Sequence, residues 1–170
     1  MQSNFNKSLE LLLKHEGGYS HHSQDPGGMT NLGVTVKVWS EWVGHPVDEK
    51  QMRALTQQDV APLYKRKYWD ACRANELVSG LDYAVFDYAV NSGVGRAAKT
   101  LQTCVGVTPD GGIGPATLAA VNAHNGAELI ENLCDKRLDF LQSLSTFSTF
   151  GKGWERRVNE VKAEALRMLG

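Results

Sequence analysis

The sequence predicts a mainly α fold, helical throughout except for a small β-hairpin or turn-rich loop after the first helix. Three observations predict it. Apolar residues recur at helical spacing through most of the 170-residue chain. Residues 81–91, Leu-Asp-Tyr-Ala-Val-Phe-Asp-Tyr-Ala-Val-Asn, are apolar nearly all round, the mark of a helix buried at the centre of a domain. Turn formers crowd residues 19–33, around Asp25-Pro26-Gly27-Gly28, between short apolar pieces.

Each element has a local cause. Phe5, Leu9, Leu12 and Leu13 predict an amphipathic helix over residues 4–16, ended by Gly17-Gly18. Thr35 is placed to cap a second helix carrying Trp39, Trp42 and Val43. Thr56-Gln57-Gln58-Asp59 fits a capping box, in which each side chain bonds the other residue's backbone. Val60, Leu63 and Tyr64 form the inward face of the helix it starts, which runs into Tyr68-Trp69. Asn91-Ser92-Gly93 stops the buried helix. The next helix turns Val94, Ala98, Leu101 and Val105 inward and ends before Gly106. Asp110-Gly111-Gly112 reads as a turn, and Gly114-Pro115 starts another helix, where proline's missing N–H costs nothing. A longer helix carries Leu129, Ile130, Leu133, Leu138, Leu141 and Leu144. Residues 145–153 read as a Ser/Thr/Gly loop holding Phe147 and Phe150, with the last helix starting near Trp154. The natural division falls near residues 93–106, giving parts 1–93 and 94–170, expected to pack as one compact unit.

Composition narrows the function. The formal net charge is -1, without the basic excess of a nucleic-acid binder. No stretch approaches the roughly 18 apolar residues of a membrane span, so neither nucleic acid nor membrane insertion is expected. Cys72, Cys104 and Cys134 match no metal knuckle or redox pair and read as buried core residues of a protein made in a reducing compartment. The N-terminus lacks a basic region, and the apolar run after it is cut by Glu10. The expectation is synthesis in the cytoplasm without a signal peptide.

Glu16 is the anomaly. It stands three residues after Leu13, four after Leu12 and seven after Leu9, on the apolar face of the first helix. Partial burial and the negative end of the helix dipole both favour the protonated carboxyl. A general acid for glycosidic cleavage needs that property, because the leaving oxygen must be protonated as the bond breaks. Spacing leaves open the plainer reading, an exposed glutamate at a frayed helix end. Asp25 lies in the following loop, as the second carboxylate of a glycosidase would. It is equally an ordinary turn starter before Pro-Gly. Thr30 is placed to position a water, or is a plain hairpin threonine.

His15-Glu16 does not make a zinc-protease motif, since that requires a second histidine four residues after the first, and position 19 is Tyr19. No metal or organic cofactor is expected. For a sugar ligand, Tyr19, Tyr64, Tyr68, Trp69 and Asn91 are candidate cleft residues. Trp69 and Asn91 rank first because each ends a helix. For any single aromatic residue, a core position is the more common alternative.

These segments resemble a known family. Glu16-Gly17-Gly18-Tyr19, the run Asp25 to Thr35, Tyr68-Trp69-Asp70 and Asp87-Tyr88-Ala89-Val90-Asn91-Ser92-Gly93 are similar to glycoside hydrolase family 108, the phage-type N-acetylmuramidases. The second half resembles the peptidoglycan-binding segment usually attached to that family, through Leu101-Gln102, Asp110-Gly111-Gly112-Ile113-Gly114-Pro115-Ala116-Thr117, and Phe150-Gly151-Lys152-Gly153-Trp154 with Arg157. The resemblance implies a lysozyme-like helical fold, with 1–93 catalytic and 94–170 wall-binding. It implies hydrolysis of the β-1,4 bond from N-acetylmuramic acid to N-acetylglucosamine, with Glu16 as acid. More distantly, the chain resembles phage lysozymes whose acid-to-threonine gap is one residue longer than Asp25 to Thr30, which leaves the roles of those two residues open. A lytic transglycosylase forming 1,6-anhydro ends and a non-catalytic wall-binding module are the alternatives. The expected partner is the glycan strand of peptidoglycan, met by a monomer in the periplasm or cell wall. With no signal peptide, holin-type export is the expected route, for host lysis as an endolysin or for toxin release.

Overall fold

In a computed structural model of the chain, residues 4–21 and 28–170 are described. They include nine α-helices and a three-stranded antiparallel sheet after the first helix. The fold is mainly α and lysozyme-like, as expected. The chain divides into two compact units, Asn6–Lys67 and Tyr68–Gly170, the latter with the start of the chain through Phe5.

The first unit begins within α1 (Phe5–Glu16), at Asn6. Leu9, Leu12 and Leu13 are buried on one stripe of this helix. The turn-rich segment forms strands β1 (Ser20–His21), β2 (Met29–Asn31) and β3 (Val34–Thr35), paired in that order. Thr35 then caps α2 (Val36–Val43), its hydroxyl accepting from the Val38 N–H at 3.1 Å. The capping box at Thr56 is formed in both directions, and α4 (Gln57–Tyr64) buries Val60, Leu63 and Tyr64. Between them lies α3 (Glu49–Arg53), for which hydrophobic spacing gives no sign, since Met52 is its single buried residue. Its signal is polar: Asp48 and Gln51 form another capping box. The buried Asn31 amide donates to the Met52 carbonyl at 2.8 Å and fastens β2 to this helix.

The second unit is built round α5 (Leu81–Ser92), whose residues 81–89 are all buried. It packs against α6 (Val94–Val105), α8 (Gly126–Gln142) and α9 (Phe147–Leu169), while α7 (Pro115–Asn122) lies on α6. Cys72 and Cys134 are buried, and burial pushes their thiols up to about 12. Cys104 is only half-buried.

The expected loop at 145–153 is corrected. Helix α9 starts at Phe147, and only a short turn over residues 143–146 separates it from α8. Tertiary packing overrides the weak helix propensity of Ser148, Thr149, Gly151 and Gly153. The Phe147 ring crosses its own helix over Gly151, where an added Cβ would lie 2.7 Å from the ring carbons. Phe147 and Phe150 both meet Trp154, with centroids at 6.3 and 5.8 Å. Seven- and four-residue spacings bring such rings together only if the segment is helical.

Candidate active site

Glu16 is the last residue of α1, half-buried behind Leu12 and Leu13. The Gly17 N–H bonds the Leu13 carbonyl at 3.2 Å, and Gly17 turns left-handed at φ 79°, so the chain leaves the helix directly after the carboxylate.

The β2–β3 hairpin reaches the stem of this side chain. Asn31 pairs with Val34, which leaves Leu32 and Gly33 as a two-residue turn. Both have positive φ, 52° and 77°, as a type I′ turn requires. A leucine in that region is strained. The Tyr64 hydroxyl fixes it by donating to the Leu32 carbonyl at 2.8 Å. Gly33 lies against the stem of Glu16: a Cβ added at position 33 would stand 3.1 Å from both Cβ and Cγ of Glu16 and 2.5 Å from the Tyr64 hydroxyl. The hairpin tip therefore seats the glutamate stem at the helix end. Gly33→Ala is expected to lower kcat about 100-fold by displacing the carboxylate on the order of 1 Å, with a smaller change in KM. Turbidity clearance of purified cell walls measures it, and an unchanged kcat would show that the hairpin does not position Glu16.

Thr30 is central in the sheet, paired across to Ser20 on one side and Thr35 on the other. Its hydroxyl shares a hydrogen bond of 2.8 Å with that of Ser20. Ser20 carries no motif that singles it out, because its link to Thr30 is a property of strand register. Asp25 lies outside the described residues. One face of the Tyr19 ring is covered by the Arg53 guanidinium, 4.1 Å from the centroid. Burial, and after it the nearby Glu49 carboxylate, push the Tyr19 phenol above its ordinary value. Tyr64, whose hydroxyl is spent on the hairpin, is a core residue.

Trp69 and Asn91 belong to the second unit and differ in kind. Trp69 is fully buried, edge-on to Phe5 and Phe86 at 5.4 and 5.3 Å, and its indole N–H donates to Asn75 at 2.6 Å. It offers no face to a sugar: the helix end that made it a candidate is a π turn, Lys65–Trp69, whose last residue is core. Asn91, one residue before the end of α5, is exposed.

Below Asn91 is a buried ion cluster that spacing did not reveal. Asp87 accepts from Arg137 at 2.8 Å and from two nitrogens of Arg157 at 3.1 Å. Burial alone would push the Asp87 carboxyl up. The two guanidinium groups more than offset this and hold it below the usual range. Arg137 also donates to the Asn91 side-chain oxygen at 3.3 Å. The signal available in the sequence was Asp87 itself, an acid in the middle of a largely apolar helix, which needs partners from elsewhere in the chain.

The motif from Asp110 to Thr117 is also internally committed. The buried Gln102 amide donates to Asp110, the Gly112 carbonyl and Thr117, and its oxygen accepts from the Gly111 N–H at 2.9 Å. These bonds hold the connection from α6 to α7. The Gln102 bond, and after it the Gly112 N–H, keep the Asp110 carboxyl below its ordinary value.

The model of the family described as Glycosyl hydrolase 108 matches residues 9–93, half of the 170-residue chain. The chain belongs to glycoside hydrolase family 108. A second family model, described as Predicted Peptidoglycan domain, matches residues 96–159 of this family 108 chain. The solved structure of Brucella abortus SagA is similar over 99% of the chain and 97% of its own length, at 43% identity and a TM-score of 0.87. No curated protein matches. The family 108 chain is thus a glycoside hydrolase that acts on peptidoglycan. No group of side chains suited to holding a metal ion occurs among its described residues, and none of its described helices is long and apolar enough to cross a membrane.

Proposed function

We propose that the chain is an N-acetylmuramidase that hydrolyses the β-1,4 bond from N-acetylmuramic acid to N-acetylglucosamine, with Glu16 as the acid. The observation that carries the reading is the seating of Glu16. Within the family 108 segment it is the carboxylate at a helix end, with its stem held against the Leu32-Gly33 turn. A proton donor must be fixed within hydrogen-bond reach of the leaving oxygen, and a clamped side-chain stem does this.

In the proposed reaction, Glu16 donates its proton to the glycosidic oxygen as the bond to the muramic anomeric carbon breaks. The sugar passes through an oxocarbenium-like state. Water adds to the anomeric carbon, and its proton returns the site to the starting state. Asp25 and the Ser20–Thr30 hydroxyl pair are the groups proposed to orient that water. No step calls for a metal or an organic cofactor. In biological terms, the proposal is a monomer made in the cytoplasm and released to the wall, through a holin-type pore, for host lysis or toxin release.

Product analysis tests the reaction. Purified sacculi digested with the enzyme are expected to give fragments ending in reducing muramic acid by mass spectrometry. Ends of the 1,6-anhydro type would make the chain a lytic transglycosylase, and reducing N-acetylglucosamine ends would make it a glucosaminidase. Either result overturns the proposal.

A further inference from the structure

A cavity of about 280 Å³ opens on the second unit. It is lined by Asn91 and Ser92 at the end of α5, Arg96 in the first turn of α6, Phe140 near the end of α8, and Trp154 of α9, with Leu141 and Leu144 behind. Its chemistry is specific. The Arg96 guanidinium lies 3.8 Å from the centroid of Phe140, so the ring holds it as a fixed fork of donors. Arg137 can only donate, and it meets the Asn91 side chain at 3.3 Å, so the Asn91 oxygen must face inward. Ser92 donates to the same oxygen at 3.3 Å. The Asn91 amino group is left as a two-proton donor at the exposed side. Because Arg137 is itself anchored on buried Asp87, this orientation is set before any ligand arrives.

The aromatic wall continues beyond the cavity. Trp154 stacks on Phe150 at 5.8 Å with 28° between the planes. Phe150 is 54% exposed, the one large hydrophobic side chain so exposed among the described residues. The lining contains aromatic faces, an amide, a hydroxyl and a cation, with no carboxylate. Such a set fits a neutral ligand with one apolar face and several acceptor oxygens. An N-acetylated hexosamine has both: axial C–H groups for the rings, and acetyl and ring-substituent oxygens for the donors. The cavity has room for about one such sugar, since larger drug-sized ligands occupy roughly 300–1,000 Å³.

We propose that this cavity and the Phe150–Trp154 shelf form a glycan subsite, carried entirely by the second unit, that holds an N-acetyl hexosamine of the peptidoglycan strand. The inference rests on the proposed action on wall glycan. Asn91 and Arg96 supply the hydrogen bonds and Trp154 with Phe150 the stacking surface.

The test measures binding, without cleavage, by the full chain carrying Glu16→Gln. Isothermal titration uses chitotetraose, which is N-acetylated and free of peptide, and sedimentation uses intact sacculi. Arg96→Ala and Phe150→Ala are each expected to weaken tetraose binding about tenfold, a loss of about 1.4 kcal/mol. Phe150→Tyr, which keeps the ring, is expected to restore it. Both positions are exposed, so circular dichroism and melting should match the parent. Unchanged tetraose affinity in both alanine variants overturns the subsite, as does a parent that does not bind tetraose. Weakening seen with sacculi and absent with tetraose also overturns it, in favour of a stem-peptide contact. A failure of the muramidase reading appears in the product analysis instead, because this binding requires no bond to be cut.

Discussion

Glu16→Gln is expected to abolish wall hydrolysis while leaving the protein folded. Glutamine keeps the length and the methylene stem that lie against Gly33, so the packing at the helix end survives. What it cannot do is give up a proton as an acid. Loss of a positioned acid typically costs about 10²–10⁴ in rate. Stability should hold, because the stem packing at the end of α1 is unchanged. Activity and stability therefore move apart. Clearance of purified walls and a thermal melt measure the two, and a variant with full lytic activity would remove Glu16 from the mechanism.

Asp87→Ala is expected to have the largest effect on stability. It strands Arg137, whose side chain is 2% exposed, with no counter-charge at Asp87, and it removes one acceptor from Arg157. Breaking a buried pair by removing one partner costs about 3–5 kcal/mol. That is a large share of the roughly 5–15 kcal/mol that holds a domain folded. At about 2–4 °C per kcal/mol for a chain of this size, the melting temperature should fall by roughly 10 °C. The pH dependence has a definite sign. Because the folded protein holds the Asp87 carboxyl below its ordinary range, its stabilising contribution is complete above that ordinary range and is lost as pH falls through the lowered folded value. The melting difference between parent and variant should therefore shrink on acidification. A variant that melts within about 2 °C of the parent at neutral pH would show that the cluster is not a stabilising element. Asn91 is held by the same Arg137, so the substitution should also weaken chitotetraose binding.

Much of the fold was legible because its signals are local. The stripe of Leu9, Leu12 and Leu13 and the pair Gly17-Gly18 placed α1 and its end at Glu16. The reciprocal bonds of Thr56 and Asp59 were readable from residue type and spacing. The buried α5 announced itself by apolarity on every side. The signals that failed were not hydrophobic or were not local. Helix α3 shows itself only in the polar pair Asp48 and Gln51. The start of α9 is hidden among poor helix formers, and aromatic packing on Gly151 and Trp154 decides it.

At the site the division is similar. The sequence by itself determined that a glutamate stands at the end of an apolar helix face and that a turn follows, because both depend on residues within a few positions of Glu16. Only the tertiary structure decided what lies against that glutamate. Gly33 reaches it through strand register, in a turn that the Tyr64 hydroxyl holds by a hydrogen bond spanning 32 positions. It decided that Trp69 is core and that Asn91 is a presented amide, a distinction in which the distant Phe5 and Arg137 take part. Periodicity reports which face of an element is apolar. It carries no information about which distant polar group will meet a given side chain, and that meeting is what turns a residue at a helix end into part of a site.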